Sequence, residues 1–484
     1  ARMVAGRIDA IVVGAGPNGL AAAIELARAG RSVRLYEAEE TVGGATRSAE
    51  STLPGFIHDV CSAVHPLALA SPFFRSLDWQ SLDVGFVHPD VPLAHALAPG
   101  RSVLLERDVD ATAAGLGPDG SAWRRLVGPL VAEWERLLPM VLGPLVRPPH
   151  HPLLAARFAV RALPSAVALA RLAFREQPAR ALFAGLSAHS TLPLEAPVSA
   201  SFGAVLGLLA HAVGWPIVRG GTGAIAAGLE AEARRLGVDI VVGSRVGDVD
   251  RLPPAHVVLL DLTPRQVLAV AGHRFPARYR RALQRYRYGP GVFKVDWALA
   301  GPIPWRDHAL GRAGTVHLGG SLREIAAGER AVAAGALADR PFVILVQPTL
   351  FDPARAPGGR HTAWAYCHVP NGSNADMTEA IESRIDAFAP GFRDLILARS
   401  TRSAAAMEAY DPNDVGGDIN GGLQDWRQLF FRPVVRSDPY STPDPRVFIC
   451  SSSTPPGGGV HGMSGYHAAR RALRRMDRRR THRA

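Results

Sequence analysis

"DAIVVGAGPNGLAAAIELARAGRSVRLYEA", residues 9–38, decides the fold. It reads as strand, glycine turn, helix, strand. Ile11 to Val13 form a short buried strand, and Gly14, Gly16 and Gly19 set the spacing GxGxxG. Leu20, Ile24 and Leu26 give the following helix an apolar face toward a sheet, and Val33 to Tyr36 are the second strand. Each glycine meets a separate physical need: Gly14 permits the tight turn, Gly16 lets backbone approach a pyrophosphate, and Gly19 lets helix and strand pack closely. Ala15, Pro17 and Asn18 complete the loop, whose helix N-terminus offers free N–H groups and a partial positive charge to phosphate. Glu37, followed by Ala38, closes the second strand 18 residues after Gly19, where a carboxylate accepts both hydroxyls of an adenosine ribose. The unit predicts dinucleotide binding.

Outward from this stretch, 484 residues are too many for one compact core, and two or three domains are expected. The formal charge of +11 suggests nucleic acid until its location is considered. The tail 470–484, "RRALRRMDRRRTHRA", carries +7 of it, so the body is only mildly basic. A frayed, solvated arginine tail is the plain reading, and a membrane-surface or polyanion contact is the sharper one. No zinc spacing and no basic surface interleaved with aromatics points to a nucleic-acid reader or a metal. Cys61, Cys367 and Cys450 are odd in number and far apart, which suits a reducing cytoplasm. The start "ARMVAGRIDA" has no apolar signal core, and "SFGAVLGLLAHAVGWPIV" (201–218), broken by His211, glycines and Pro216, reads as a buried helix.

"EETVGGATR" (39–47) adds a second glycine pair, Gly43 and Gly44, with Ala45, Thr46 and then Arg47. With this loop the sequence resembles the FAD-dependent amine oxidase and phytoene desaturase superfamily, including the pyridine nucleotide-disulphide oxidoreductase domain proteins. There a GGxxR-type loop lies along the FAD pyrophosphate and ribityl chain. No second GxGxxG follows in strand context, so the resemblance implies a bound FAD reoxidised by oxygen or a quinone.

Two further blocks carry the resemblance. "GWPIVRGGTGAIAAGLEAEARRLGVDIVVGSRVGDVD" (214–250) predicts a helix over about 222–236, then a strand and hairpin; "HVVLLDLTPRQVL" (256–268) predicts a strand ending at Thr263, with Pro264 opening a helix. In the resembled family the backbone at the position of Val246 contacts adenine. "RVFICSSSTPPGGGVHGMSGYHAARRAL" (446–473) is similar to the C-terminal flavin motif of phytoene desaturases: a strand, a glycine turn, and a helix from about Gly462 aimed at the flavin's pyrimidine edge. This implies contacts from Gly459, Val460, His461, Gly462 and Met463. The family's aspartate near the ribityl hydroxyls falls on Ser452, which keeps a hydroxyl and loses the charge.

The implied fold is α/β, α+β overall. A Rossmann-like FAD-binding domain of glutathione-reductase type (1–75, 215–265, 425–484) is interleaved with a sheet-plus-helical-cap substrate domain (76–214, 266–424). Residues 121–214 read as helices broken by prolines. Arg157 with Arg161, and Arg171 with Arg175, are four apart and predict one helical face each, either a solvated cap or an interfacial surface resting on lipid. The second insertion predicts strands in "PFVILVQPTLF", "HTAWAYCHV" and "VFKVDWAL" (292–299). The last holds the single lysine among 54 basic residues. Alternation puts Lys294 and Asp296 on one face, with Phe293, Val295 and Trp297 on the other.

Lys294 then has two readings: a catalytic group at flavin N5, as in several amine oxidases, or a strand lysine paired with Asp296. An ammonium is a compact charge with a tunable pKa, which a guanidinium does not replace. His461 is the other catalytic candidate, placed to move a proton if its ring faces the cavity. In "PGFIHDVCSAVHP" (54–66) His58 and Asp59 read as structural, and Cys61 lacks a partner thiol.

The expected function is hydride abstraction or desaturation of a lipophilic small molecule by an FAD-dependent oxidoreductase. The location is cytoplasmic with peripheral membrane contact as the variant; oligomeric state is open. The alternatives are a flavin amine oxidase, for which Trp297, Trp364 and Tyr366 supply aromatics, a flavin-dependent isomerase, and a lipid carrier like the Rab GDP-dissociation inhibitors.

Overall fold

The computed structural model describes residues 8–481. The start of the N-terminal stretch, 1–7, and the last residues of the basic tail, 482–484, lie outside the described residues.

Two sheets organise the chain. The first is parallel and five-stranded, in the order Val447–Ile449, Ala255–Leu260, Ile8–Val13, Val33–Tyr36, Asp239–Val241. Val13 stands opposite both Leu260 and Tyr36, so the carboxyl ends of the central strands finish level and face one crevice, where ligands of open parallel sheets bind. The helix Pro17–Arg28 is buried more fully than its periodicity implies: Ala21, Ala22 and Ala23 are as inaccessible as Leu20 and Ile24. A second helix explains this. Met463–Thr481 lies across it, and a Cβ at Gly465 would stand 1.8 Å from the Asn18 carbonyl oxygen. The run of small residues "GLAAAIELA" lets one helix touch a sheet on one side and a helix on the other. The basic tail is thus helical through Thr481 rather than frayed, because its apolar side, Ala468, Ala469, Ala472 and Met476, is buried in that contact.

The predicted helix near 222–236 is Gly223–Arg235, and the strand Asp239–Val241 follows. No hairpin forms there among the described residues. The strand instead takes the free edge beside Val33–Tyr36 in parallel, which uses up its hydrogen-bonding side.

The second sheet is mixed and seven-stranded, ordered Ile396–Arg402, Gly291–Leu299, His361–Val369, Val343–Val346, Ala313–Leu318, Val91–Ala98, Arg101–Leu105. One face packs Phe293, Val295, Trp297, Ala363, Ala365 and Cys367 against the helix Thr378–Phe388, forming a closed apolar core. The other face carries Lys294, Asp296, Trp364, Tyr366, His368, Ile344 and Thr315 and looks toward the first sheet.

Six helices between Gly120 and Ala212 cover this side. The expected arginine faces are only partly realised. Arg161 turns inward to donate to the Arg125 and Leu126 carbonyls in the middle of the neighbouring helix Gly120–Val131. Arg175 falls beyond its helix, which stops at Ala173. Leu153, Val160 and Leu172 stand exposed on this cap. No single described helix is long and apolar enough to cross a membrane; the bent pair Pro152–Ala162 and Ala166–Ala173 passes by length and composition alone.

Where the halves meet, Arg355 is fully buried and ion-paired with Asp59 at 2.6 Å and with Asp352 at 3.0 Å, and it donates to the Val218 carbonyl. Asp59 also accepts from the Thr222 N–H and the Ser48 hydroxyl.

Candidate functional site

A continuous cavity of about 410 Å³ runs from the glycine loop at the carboxyl edge of the parallel sheet to the inner face of the mixed sheet. Its nucleotide end is backbone-lined. Gly14 has φ +96°, and a Cβ at Gly19 would lie 1.9 Å from the Gly14 oxygen, so the helix starts in direct contact with the preceding turn. Gly16 is the extended residue before the helix and offers no capping side chain; Pro17 has no N–H and Asp261 takes that of Gly19, so the Asn18 N–H is the first-turn donor that remains toward the cavity. The second glycine loop touches the first: a Cβ at Gly44 would stand 3.3 Å from the Gly16 Cα, and the Gly43 N–H donates to the Ala15 carbonyl.

Of the residues expected at the cofactor, Gly14, Ala15, Gly16, Pro17, Asn18, Glu37, Ala38, Gly44, Ala45, Arg47, Val246, Ser452, Gly459 and Val460 line this cavity. Gly19, Gly43 and Thr46 stand behind it, shaping the turns; the Thr46 hydroxyl closes its loop on the Gly43 carbonyl at 2.7 Å. Glu37 accepts from the Ala15 N–H at 2.7 Å and from the Glu39 N–H at 3.0 Å, and lies 3.6 Å from Arg47.

Several groups here were not singled out from sequence. Asp261, one residue past the strand Ala255–Leu260, accepts the Gly19 N–H at 2.8 Å and sits where Cβ atoms on Gly14 or Gly16 would meet it at about 3 Å. Burial pushes its carboxyl up to about 8, helped by the nearby Asp411 and Glu37. Asp411, Asn413 and Asp414 arrive from "YDPND", a segment after the mixed sheet's last strand. Burial also raises Asp411, and raises Asp414 well above the carboxylate range. Their only sequence signal is density of Asp and Asn in a loop, which turns share.

Residues 12–76 match the model of the NAD(P)-binding Rossmann-like domain. Along nearly its whole length the chain is 25% identical to the pyridine nucleotide-disulfide oxidoreductase domain-containing protein 2 of Rattus norvegicus, covering 95% of this chain and 92% of the relative. It is 24% identical to the lycopene-forming phytoene desaturase of a Paracoccus strain, over 94% and 95% of the two chains. Among solved structures, an oxidoreductase from Methanosarcina mazei superposes with a TM-score of 0.64 at 16% identity, over 97% of this chain and all of that one. Cyclohexylamine oxidase from Brevibacterium oxydans does so at 0.59 and 14%, over 98% and 100%. Over nearly its whole length the chain is thus similar in sequence to oxidoreductases that include a phytoene desaturase.

The fit of FAD to this oxidoreductase is testable on its own atoms. Asn18 Oδ1, Arg47 Nε and His65 Nδ1 belong to cavity-lining residues and are buried without a hydrogen-bond partner among the described residues, as polar atoms reserved for a ligand would be. The two touching glycine loops form a cradle that a Cβ would fill. Both observations fit the dinucleotide.

The substrate end is lined by Phe202, Leu206, Trp215, Ile344, Val346, Trp364, Tyr366, His189 and His368. Trp364 and Tyr366 stack with centroids 5.7 Å apart and planes 13° from parallel. They come from alternate positions of one strand, a spacing visible in "HTAWAYCHV". Trp297, by contrast, faces the closed core and donates to Glu382.

Neither catalytic candidate from sequence lines this cavity, and Lys294 takes the second of its two readings, a strand lysine paired with Asp296. Lys294 is only 3% exposed, ion-paired with Asp296, and 5.2 Å from the Trp364 ring. It stands behind the cavity wall rather than in it, because Asp296 on the same strand face draws its ammonium sideways. Burial alone would raise Asp296, but Lys294 together with His58, 3.5 Å away, holds it below its usual value. His461 does not line the cavity either. Its Nδ1 accepts the Met463 N–H at 3.0 Å and its Nε2 lies 3.2 Å from the Gly457 carbonyl, so the ring ties the turn to the helix start. Burial pulls it down to about 4, leaving it neutral. Gly462 and Met463 likewise stand behind the wall.

Lys294→Met is expected to lower the unfolding free energy by roughly 3 kcal/mol, because Asp296 is left buried without its main counter-charge. Bound flavin per folded molecule should not change. An unchanged melting temperature with a collapsed rate of flavin reduction would instead give the ammonium a chemical role.

Proposed function

We propose that this oxidoreductase binds FAD along the glycine loops, Glu37 and Val246, and uses it to oxidise an uncharged, lipophilic molecule held against Trp364 and Tyr366. The single cavity that joins the pyrophosphate cradle to an aromatic and aliphatic chamber carries this reading. Bound FAD would supply the hydride acceptor, with reoxidation by oxygen or a quinone. The chain's own contribution is positional. Glu37 would hold the ribose, the helix at Pro17 would face the pyrophosphate, and the apolar walls would exclude water from the reacting bond.

A neutral substrate fits better than an alkylammonium. Trp364 and Tyr366 stack on each other and leave no gap to sandwich a cation, and burial pushes the Asp414 carboxyl well above its usual range, which disfavours a carboxylate there to pair with an ammonium. This ranks C–H oxidation or desaturation above the amine oxidase reading.

The purified protein is expected to show the two absorption bands of oxidised flavin. A colourless protein that does not take up added FAD yet binds lipid would be a carrier instead. FAD affinity should also depend on pH with a defined sign. Asp261 is neutral below about 8 and ionises above it, beside the loop that meets the pyrophosphate. Affinity is therefore expected to be flat below pH 8 and to fall above it by up to about tenfold per pH unit, the limit that one linked proton sets. Asp261→Asn should flatten the curve. A wild-type titration independent of pH from 7 to 10, roughly the range spanning that ionisation, would remove Asp261 from the site.

A further inference from the structure

Apart from the aromatic pair, the substrate chamber holds one arrangement that the mechanism so far leaves unused. His368 follows Tyr366 by two residues, on the same face of the strand His361–Val369, and lines the cavity. Its Nδ1 lies 2.9 Å from both carboxylate oxygens of Glu329, a buried residue on the helix Leu322–Ala333. A carboxylate accepts and does not donate, so Nδ1 carries the proton of that bond and Nε2 keeps its lone pair. Nε2 has no hydrogen bond among the described residues, and, unlike the fully buried orphaned atoms, it keeps some exposed surface on a residue that lines the cavity. An imidazole held in this tautomer by a carboxylate, with its second nitrogen free in a cavity, has the geometry of a general base.

The other chamber histidine does not share it. His189 has its Nε2 3.0 Å from the Nε2 of His317, and burial drives it down to about 3, so it serves as neutral wall. The groups facing His368 are Tyr366 on its own strand, Phe342 on the approach to the neighbouring strand, His189 at the end of the helix Gln177–Ala188, and Glu329 behind. None is a competing cation.

We propose that His368 Nε2, oriented by Glu329, accepts the proton released when the substrate is dehydrogenated. The proposal rests on the flavin reading above. Removing two hydrogens from H–X–C–H, with X an oxygen, a nitrogen or an adjacent carbon, breaks two bonds and forms one double bond. Bound oxidised flavin would supply the acceptor for the hydride with its electron pair, and the proton passes to Nε2. His368 is the catalytic residue here and Glu329 a positioning residue. The substrate class narrows accordingly to a neutral molecule with a flat apolar face for Trp364 and Tyr366 and a removable proton within reach of His368.

4-Nitrophenol has both features and reports its own ionisation by colour. It is added to the purified holoprotein at a pH where the free probe is neutral, and the difference spectrum is recorded. Wild type is expected to bind it as the yellow phenolate. His368→Gln should bind it uncoloured, and Glu329→Gln should weaken the phenolate signal by about tenfold. In parallel, NMR of imidazole-labelled protein should show His368 unprotonated at Nε2 and protonated at Nδ1, with Glu329→Gln changing that tautomer signature. Failure of wild type to bind the probe, binding without ionisation, equal colour in His368→Gln, or a proton found on Nε2 would each overturn the proposal. A protein that ionises the probe but carries no flavin keeps the base and loses the oxidoreductase reading. One that carries flavin and leaves the probe neutral loses the base alone.

Discussion

Asp59→Ala is expected to destabilise the protein by about 3–5 kcal/mol, the usual cost of stripping one partner from a buried ion pair. Arg355 would keep Asp352 but lose Asp59, and the Thr222 N–H and Ser48 hydroxyl would lose their shared acceptor. Arg355→Met should cost a similar amount, and the double replacement Asp59→Leu with Arg355→Met should cost less than the sum, since no charge is left stranded. Chemical unfolding of the holoprotein measures all three. The pH dependence has a definite sign. Burial favours the neutral acid, but Arg355 and the two hydrogen bonds outweigh it and hold Asp59 below its unfolded value. Its contribution is therefore fully present above about pH 4 and is lost only as pH falls through the lower folded value. Additivity of the two single replacements would show that Asp59 and Arg355 act independently and would sink this account.

Gly19→Val is expected to abolish flavin retention. Even a bare Cβ there would meet the Gly14 oxygen at 1.9 Å and the Asp261 carboxyl at 3.1 Å, and both neighbours are held in place. The helix must retreat from the turn, and the pyrophosphate cradle opens with it. Absorbance of the purified variant checks this, with circular dichroism to show that helix content survives. Full flavin content in Gly19→Val would mean that the cofactor lies elsewhere.

The parallel sheet was readable from sequence because each of its pieces carries local punctuation: glycine turn, helix, strand, terminal acid. The mixed sheet's strands were readable for the same reason, by period-two alternation in "VFKVDWAL" and "HTAWAYCHV". What sequence left open was which groups converge. Lys294 drew attention by being unique, yet Asp296, two residues on along the same face, was the better guide to its place. His461 sits in a glycine-rich turn whose backbone needs its ring. Asp261 and His368 were missed because their significance depends on partners far along the chain, Gly19 at one end and Glu329 on another element. Helix lengths in the cap misled in one respect: Arg175 keeps a helical spacing from Arg171 that the actual helix does not span.

The order of strands in the parallel sheet has a consequence for how the molecule is made. Ile8–Val13 is synthesised some 240 residues before its neighbour Ala255–Leu260, and the outer strand Val447–Ile449 emerges later still. The helix Met463–Thr481, which completes the packing on the helix Pro17–Arg28, comes after all of these. Contacts of such long range fold slowly and leave apolar edges waiting. The nucleotide cradle, although announced by residues 9–47, therefore reaches its final shape only after the helix Met463–Thr481 has been made, and a cofactor would load only after that.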